Sequence, residues 1–151
     1  MFCIDEVLFN MNHNDICVSR LDKDDAVGWL SDIAGFSNAD GGTMYIGVAD
    51  KTNELNGFSK EEVDSEKNYI NNQLNEHLFP RPFVKYSFLP YQINNNTRYI
   101  IKIDIPSVAF KPVIVNYNDS SSIFMRRDGY TNGATYEEII EMSNQNKNVQ
   151  F

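Results

Sequence analysis

The chain is poor in basic residues. It carries 13 Lys and Arg against 21 Asp and Glu, for a net charge of −8. Broad electrostatic attraction to nucleic acid needs a basic footprint, so this balance argues against it and leaves only a local patch. Cysteine is scarce too. Cys3 and Cys17 are too few and too far apart for a zinc site, and they read as reduced thiols of a cytoplasmic protein. The two histidines, His13 and His77, have no partner at catalytic or metal-ligand spacing and are expected at the surface. No apolar run approaches the roughly 18 residues of a membrane helix. The opening MFCIDEVLF has acids where a signal peptide has bases, so neither a leader nor a membrane partner is expected. No internal repeat or low-complexity linker is visible.

What is present suits one core. Hydrophobic residues make up 42% of 151 positions and aromatics 13%, enough for one domain. Residues 1–21 form a segment of uncertain assignment, in which DEVLF and DICVSRL read as short strands around NMNHN. The domain proper is expected over 22–143, and 144–151 as a frayed tail. Asp22 reads as the N-cap of a first helix, with Asp24 and Asp25 in its first turn and an apolar face from Ala26 through Ala34. Trp29 is expected to pack. The helix should end near Ser37–Asn38, and Thr43–Val48 should follow as a buried strand.

Ser59 and Glu62 have capping-box spacing, and Val63, Ile70, Leu74 and Leu78 give the second helix its stripe. Proline in FPRPF stops it near His77. Residues 83–89, ended by Pro90, and 97–105 should pair through a turn at Asn94–Asn96. In the second strand Tyr99, Ile101, Ile103 and Ile105 form one face. A smaller hairpin turns at Asn118–Asp119. Thr135 and Glu138 form a second capping box before a last helix. Strand runs broken by single helices predict an α+β domain with a mostly antiparallel sheet and about three helices.

The stretch GFSNADGGTMYIGVAD, Gly35 to Asp50, resembles the core signature of the Schlafen AlbA-like domain. That family shows a helix, Ala-Phe-Ala-Asn-Thr-x-Gly-Gly, a short apolar strand, Gly-Val-x-Asp and a returning Gly. Phe36, Asn38, Gly41, Gly42, Gly47, Val48, Asp50 and Gly57 fall on it in order. KPVIV…IFMRRDGYTNGATYEEII resembles the later pattern of a strand, an Arg-x-Gly and a Glu-Glu helix. The similarity spans roughly 15–143. The compact, asparagine-rich chain also resembles the Schlafen-like proteins of poxviruses.

The resemblance implies a nucleic-acid-binding module, for RNA such as tRNA more than for DNA. Nuclease-active Schlafens hold Mg²⁺ or Mn²⁺ with three carboxylates, two in a Glu-x-x-x-x-Glu-Phe-Lys segment and one in Gly-Val-x-Asp, and the metal activates water. Asp50 matches the last. Counting back from Gly41, Val18-Ser19-Arg20 occupies the Glu-Phe-Lys position and the earlier Glu falls near His13. Asp15 and Glu6 are out of register. Loss of catalysis is therefore expected, with a shifted Asp15 beside Asp50 as the route to an active endoribonuclease.

Arg20, Lys51, Lys111, Arg126 and Arg127 are the candidate phosphate contacts. Arg126 and Arg127 are adjacent in a strand, so they point to opposite faces and only one of them is expected on a shared groove. The competing role for the pair is as surface charges answering Asp128 and Glu137. Gly41-Gly42 either turn the chain or open an anion nest, and the turn is favoured. Asn38 is read as capping the helix end or tying that turn, with a ligand role as the lesser alternative. Tyr45, Tyr86 and Phe88 are read as core. A competing reading of the whole chain, which suits the acidic surface, is a virus-derived decoy that binds a host protein.

Overall fold

The computed structural model describes residues 14–146. The expectations placed on Cys3, Glu6, DEVLF, NMNHN, His13 and residues 147–151 lie outside them. Among the described residues there are eight strands and three helices, in the α+β arrangement expected. They are β1 (Asp15–Val18), α1 (Val27–Asn38), β2 (Gly42–Ile46), α2 (Lys60–His77), β3 (Leu78–Phe79), β4 (Lys85–Ile93), β5 (Asn96–Ile105), β6 (Ile114–Tyr117), β7 (Ser120–Arg127), β8 (Tyr130–Gly133) and α3 (Tyr136–Asn146).

The strands divide between two sheets, ordered β1-β2-β5-β4 and β3-β6-β7-β8. Strands β1 and β2 run parallel; the other pairs are antiparallel. Three hairpins turn on two residues with positive φ: Asn94–Asn95, Asn118–Asp119 and Asp128–Gly129. Two successive positive φ values match the twist of the flanking strands, and Asn, Asp and Gly adopt them most cheaply.

One apolar core joins both sheets to α1 and α2. Leu30, Ile33 and Phe36 meet Ile70 and Leu74, with Met44, Ile46, Ile101, Ile103, Val113 and Val115 closing it. Burying side chains of this size contributes about 1.5–3 kcal/mol each. Trp29 is buried as expected. On the opposite face of the first sheet, Tyr45, Val48, Leu89 and Ile100 make a second small cluster. Alternation places Ile100 on the open face of β5. The 47–57 loop, closed by a bridge between Val48 and Leu55, covers it instead.

The local differences have local causes. Helix α1 starts at Val27 with Ala26 at the N-cap and no side-chain cap. The Asp22 carboxylate accepts from the N–H groups of Asp24 (3.0 Å) and Asp25 (3.1 Å), forming a turn ahead of the helix. Strand β4 runs through Pro90 to Ile93 because it is an edge strand, where proline's missing N–H leaves no ladder bond open. On α2, Glu66 fills the gap in the stripe and is buried through an ion pair with Lys23. His77 is half-buried rather than a plain surface residue. Its ring lies 4.8 Å from that of Tyr117, and its Nδ1 is 2.8 Å from Asn116 O. Helix α3 runs to Asn146, into the stretch expected to fray, and the Asn146 amide clasps the backbone N–H and C=O of Lys111.

Candidate functional site

The Gly35–Asp50 stretch is where α1 stops and the first sheet begins. The Gly41 N–H donates to Phe36 O at 2.9 Å, so it closes the helix end and is not offered to an anion. Gly41 has φ +80°, and a Cβ there would lie 2.7 Å from Ile105 O. On Gly42 a Cβ would lie 2.3 Å from the Phe36 ring and 2.7 Å from Asn14 O. Both glycines therefore serve close packing of helix, turn and strand.

Asn38 is enclosed and makes three hydrogen bonds. Its Nδ2 donates to Val113 O (3.1 Å) and Phe124 O (2.9 Å), and its Oδ1 accepts from Val113 N (2.7 Å). The side chain thus ties α1 to the second sheet rather than only to its own turn. Gly47 and Gly57 hold the far end of the loop. Gly57 N–H donates to the Tyr91 hydroxyl, and Gly57 O accepts from Arg20 (3.0 Å) and Arg98 (2.7 Å).

The five basic candidates do not form one patch. Arg20 lies beyond the C-terminal end of β1, with its guanidinium 3.9 Å from the centre of the Phe58 ring. Lys51 is exposed in the turn after β2, at that same end of the sheet. At the other end, Arg126 and Arg127 line a groove of about 350 Å³ with Asn14, Gly41, Asp40 and Asp128. Lys111 stands beside it, its Nζ 3.0 Å from Ser107 Oγ, and Ser107 in turn bonds Ala39 O.

Both arginines line this groove, where strand alternation predicted only one, although their side chains take different partners. Arg126 turns to α1, over the Phe36 ring at 4.9 Å, and bonds Thr131 Oγ1 at 3.1 Å. Burial lowers its pKa and raises that of the neighbouring Asp32, while the attraction between the two opposes both shifts. Arg127 turns to α3 and grips Glu138 with two bonds of 2.7 and 2.8 Å. Glu138, not Glu137, is the partner. As the third residue of the capping box its carboxylate folds back over the helix start, where β7 ends. The sequence signal for this pair is the box itself.

Arg127's hydrogen bonds hold the Glu138 carboxyl down at about 2, against an ordinary 4.5 and a smaller upward push from burial. A depressed carboxylate stabilises the fold fully above its unfolded value, and the gain is lost as pH falls from about 4.5 toward 2. Urea midpoints measured between pH 6 and 2.5 should therefore fall more steeply for the native chain than for Glu138→Gln. Parallel curves would show that this pair contributes nothing to acid stability.

The acidic candidates Asp15 and Asp50 both act on Cys17. Burial first, then Asp50 and Asp15, push the Cys17 thiol up to about 11, so it stays protonated at neutral pH. Asp104, on the same face, accepts from Thr43 Oγ1 at 3.1 Å and lies 4.0 Å from Lys102. Among the described residues no three His, Cys, Asp or Glu side chains gather closely enough to hold a metal. A hard divalent cation needs several oxygens converging at 2.0–2.6 Å, and this set does not fit Mg²⁺ or Mn²⁺.

Two sheets sharing a core with a helix that ends in a Gly-Gly turn, with a groove beside that turn, define an α+β domain. The chain belongs to the Schlafen, AlbA_2 family, which it matches over residues 14–135. The crystal structure of the DIP2311 protein from Corynebacterium diphtheriae has a similar fold, with a TM-score of 0.57 at 14% identity. The likeness covers 93% of this chain but 27% of that one, so the domain spans about a quarter of the neighbour's length. No curated protein matches the sequence. No helix among the described residues is long and apolar enough to cross a membrane.

Proposed function

We propose that this chain is an RNA-binding module that does not cleave its ligand. The groove beside Gly41 carries the reading: Arg126 and Arg127 line it, and Lys111 stands next to it. Arg127 is the best placed to take a phosphate. Glu138 and Gly133 O engage its Nε and Nη2, and Nη1 takes part in none of those bonds. RNA is the polyanion that the Schlafen resemblance implies. The absence of cleavage is supported by Val18-Ser19-Arg20 at the Glu-Phe-Lys position and by the unsuitability of Asp15, Cys17 and Asp50 as a cation site.

Asp40 and Asp128 line the same groove, so affinity should be modest and steeply dependent on salt. The test is a titration with labelled tRNA, single-stranded RNA and duplex DNA at low and physiological salt, with and without Mn²⁺, and the products run on a gel. The expected result is salt-sensitive RNA binding without cleavage. Arg127→Ala should weaken it and lower the salt slope by about one. Glu138→Gln, which releases Arg127 from its acid, should strengthen it. No binding at low salt would refute the nucleic-acid reading. Metal-dependent cleavage abolished by Asp50→Ala would replace it with an endoribonuclease.

A second reading has an observation of its own. The net charge of −8 and several exposed phenylalanines suit a protein partner, as for a decoy that captures a host defence protein. Its signature is salt-tolerant binding to protein and none to RNA.

A further inference from the structure

One concavity of the described surface is almost wholly apolar and shares no lining residue with the Gly41 groove. Pro80, Pro82 and Phe83, between β3 and β4, face Pro106, Val108 and Phe110, after β5, across a groove of about 250 Å³. Of its lining rings, Phe83 is 82% exposed and Phe110 41%. Exposed rings gathered at one groove mark a contact surface more often than scattered single ones do. Three prolines stiffen its walls, so a ligand would order little backbone on binding.

Charge narrows the choice of ligand. Among the described residues of the lining, Arg81 is the only ionisable one. Its guanidinium sits 5.7 Å from the centre of the Phe83 ring. It is held by the side-chain oxygens of Asn71 (3.0 Å) and Asn75, which are neutral amides. Asn71 is itself fixed by the Tyr86 hydroxyl at 2.7 Å. Amides position a guanidinium without cancelling its charge. In a chain with 21 acids and 13 bases, this groove therefore presents an anchored cation and, among the described residues, no acid.

Polarity narrows it further. Apart from Arg81, no lining side chain among the described residues can hydrogen-bond. A nucleobase seated there would lose water from its polar edge without replacement, at a cost of roughly 1–3 kcal/mol per group. A leucine or phenylalanine side chain loses nothing of the kind. We propose that this groove docks an extended segment of a partner protein that presents a leucine- or phenylalanine-type side chain beside an aspartate or glutamate. The apolar side chain fills the space between Phe83 and Val108, and the carboxylate takes Arg81. The proposal does not depend on RNA binding, because none of its residues belongs to the Gly41 groove.

The test uses the full chain, ¹⁵N-labelled, and three capped peptides: Gly-Asp-Leu-Phe-Gly, Gly-Lys-Leu-Phe-Gly and Gly-Asp-Ser-Ser-Gly. The first should give saturable amide shifts at 81, 83 and 108–110. The second should bind about tenfold more weakly, as expected for loss of one charge-assisted contact. The third should not bind. Phe83→Ser, at an exposed position that leaves the fold intact, should abolish the shifts, and Arg81→Gln should remove the preference for aspartate over lysine. Absence of saturable shifts, or equal affinity for the aspartate and lysine peptides, would overturn the proposal. So would an oligouridine that shifts these amides more strongly than the first peptide. A dimer that Phe83→Ser dissociates without peptide would assign the groove to a second copy of the chain instead.

Discussion

Replacing Asn38 by leucine should lower the melting temperature by about 10 °C. The side chain is enclosed, and Leu has a similar outline, so the substitution leaves little cavity. What it removes is three hydrogen bonds at once. Val113 N–H, Val113 C=O and Phe124 C=O each lose their Asn38 partner. Each buried backbone group left unsatisfied costs about 1–3 kcal/mol, and the three together about 3–5 kcal/mol once relaxation is allowed for. For a chain of this size each kcal/mol moves the midpoint by about 2–4 °C. Thermal denaturation checks the shift; a change under about 2 °C would show that the clasp is not needed. RNA titration well below the midpoint separates the two roles open to this residue. A structural clasp leaves binding near the native value in the molecules that remain folded. A ligand contact removes binding while the fold persists.

Asn38 also shows where the sequence stops being informative. Its position beside a Gly-Gly turn marks a helix end, and the helix does end there. Its partners lie 75 and 86 residues away, on strands whose packing against α1 no local pattern reveals. The same holds for Arg126, whose neighbour Asp32 carries no mark in the sequence that pairs the two. Features with short-range causes were legible. The two capping boxes form as their spacing implies, and the Asn-Asn and Asn-Asp turns close the hairpins. Short strands without alternation were not. Tyr130–Gly133 offers one aromatic, one β-branched residue and two breakers, and it becomes strand only because β7 supplies a partner across the Asp128–Gly129 turn. Leu78–Phe79 follows directly on α2 and is drawn into the second sheet by β6. The single expected sheet is two because the β6–β7 hairpin does not pair with the first sheet; β3 and β8 extend that hairpin at its edges, and β8 brings Gly133 O to Arg127.

Gly42→Ala tests the other half of the motif and should cost about 3 kcal/mol, at the upper end of what overpacking in a core usually costs. The added methyl would fall 2.3 Å from one Phe36 ring carbon and 2.4 Å from the next, inside van der Waals contact. Phe36 is fully buried and cannot swing into solvent. On the other side lies Asn14 O, at 2.7 Å from the new carbon, and that oxygen accepts the Thr43 N–H at 2.9 Å. Relief on either side displaces the core or the entry to β1. Gly28 is the internal control. It lies in the first turn of α1, and a methyl added there would meet nothing within 4 Å, so Gly28→Ala should raise stability by about 0.5–1 kcal/mol. Urea denaturation of both variants, with the double variant Phe36→Leu/Gly42→Ala, decides the mechanism. If ring contact is the cause, the smaller side chain at 36 makes the alanine at 42 cheaper than it is alone, giving a favourable coupling on the order of 1 kcal/mol. Strict additivity would place the strain at the Asn14 carbonyl, and the Gly-Gly turn would then be set by the β1 entry rather than by the helix it terminates.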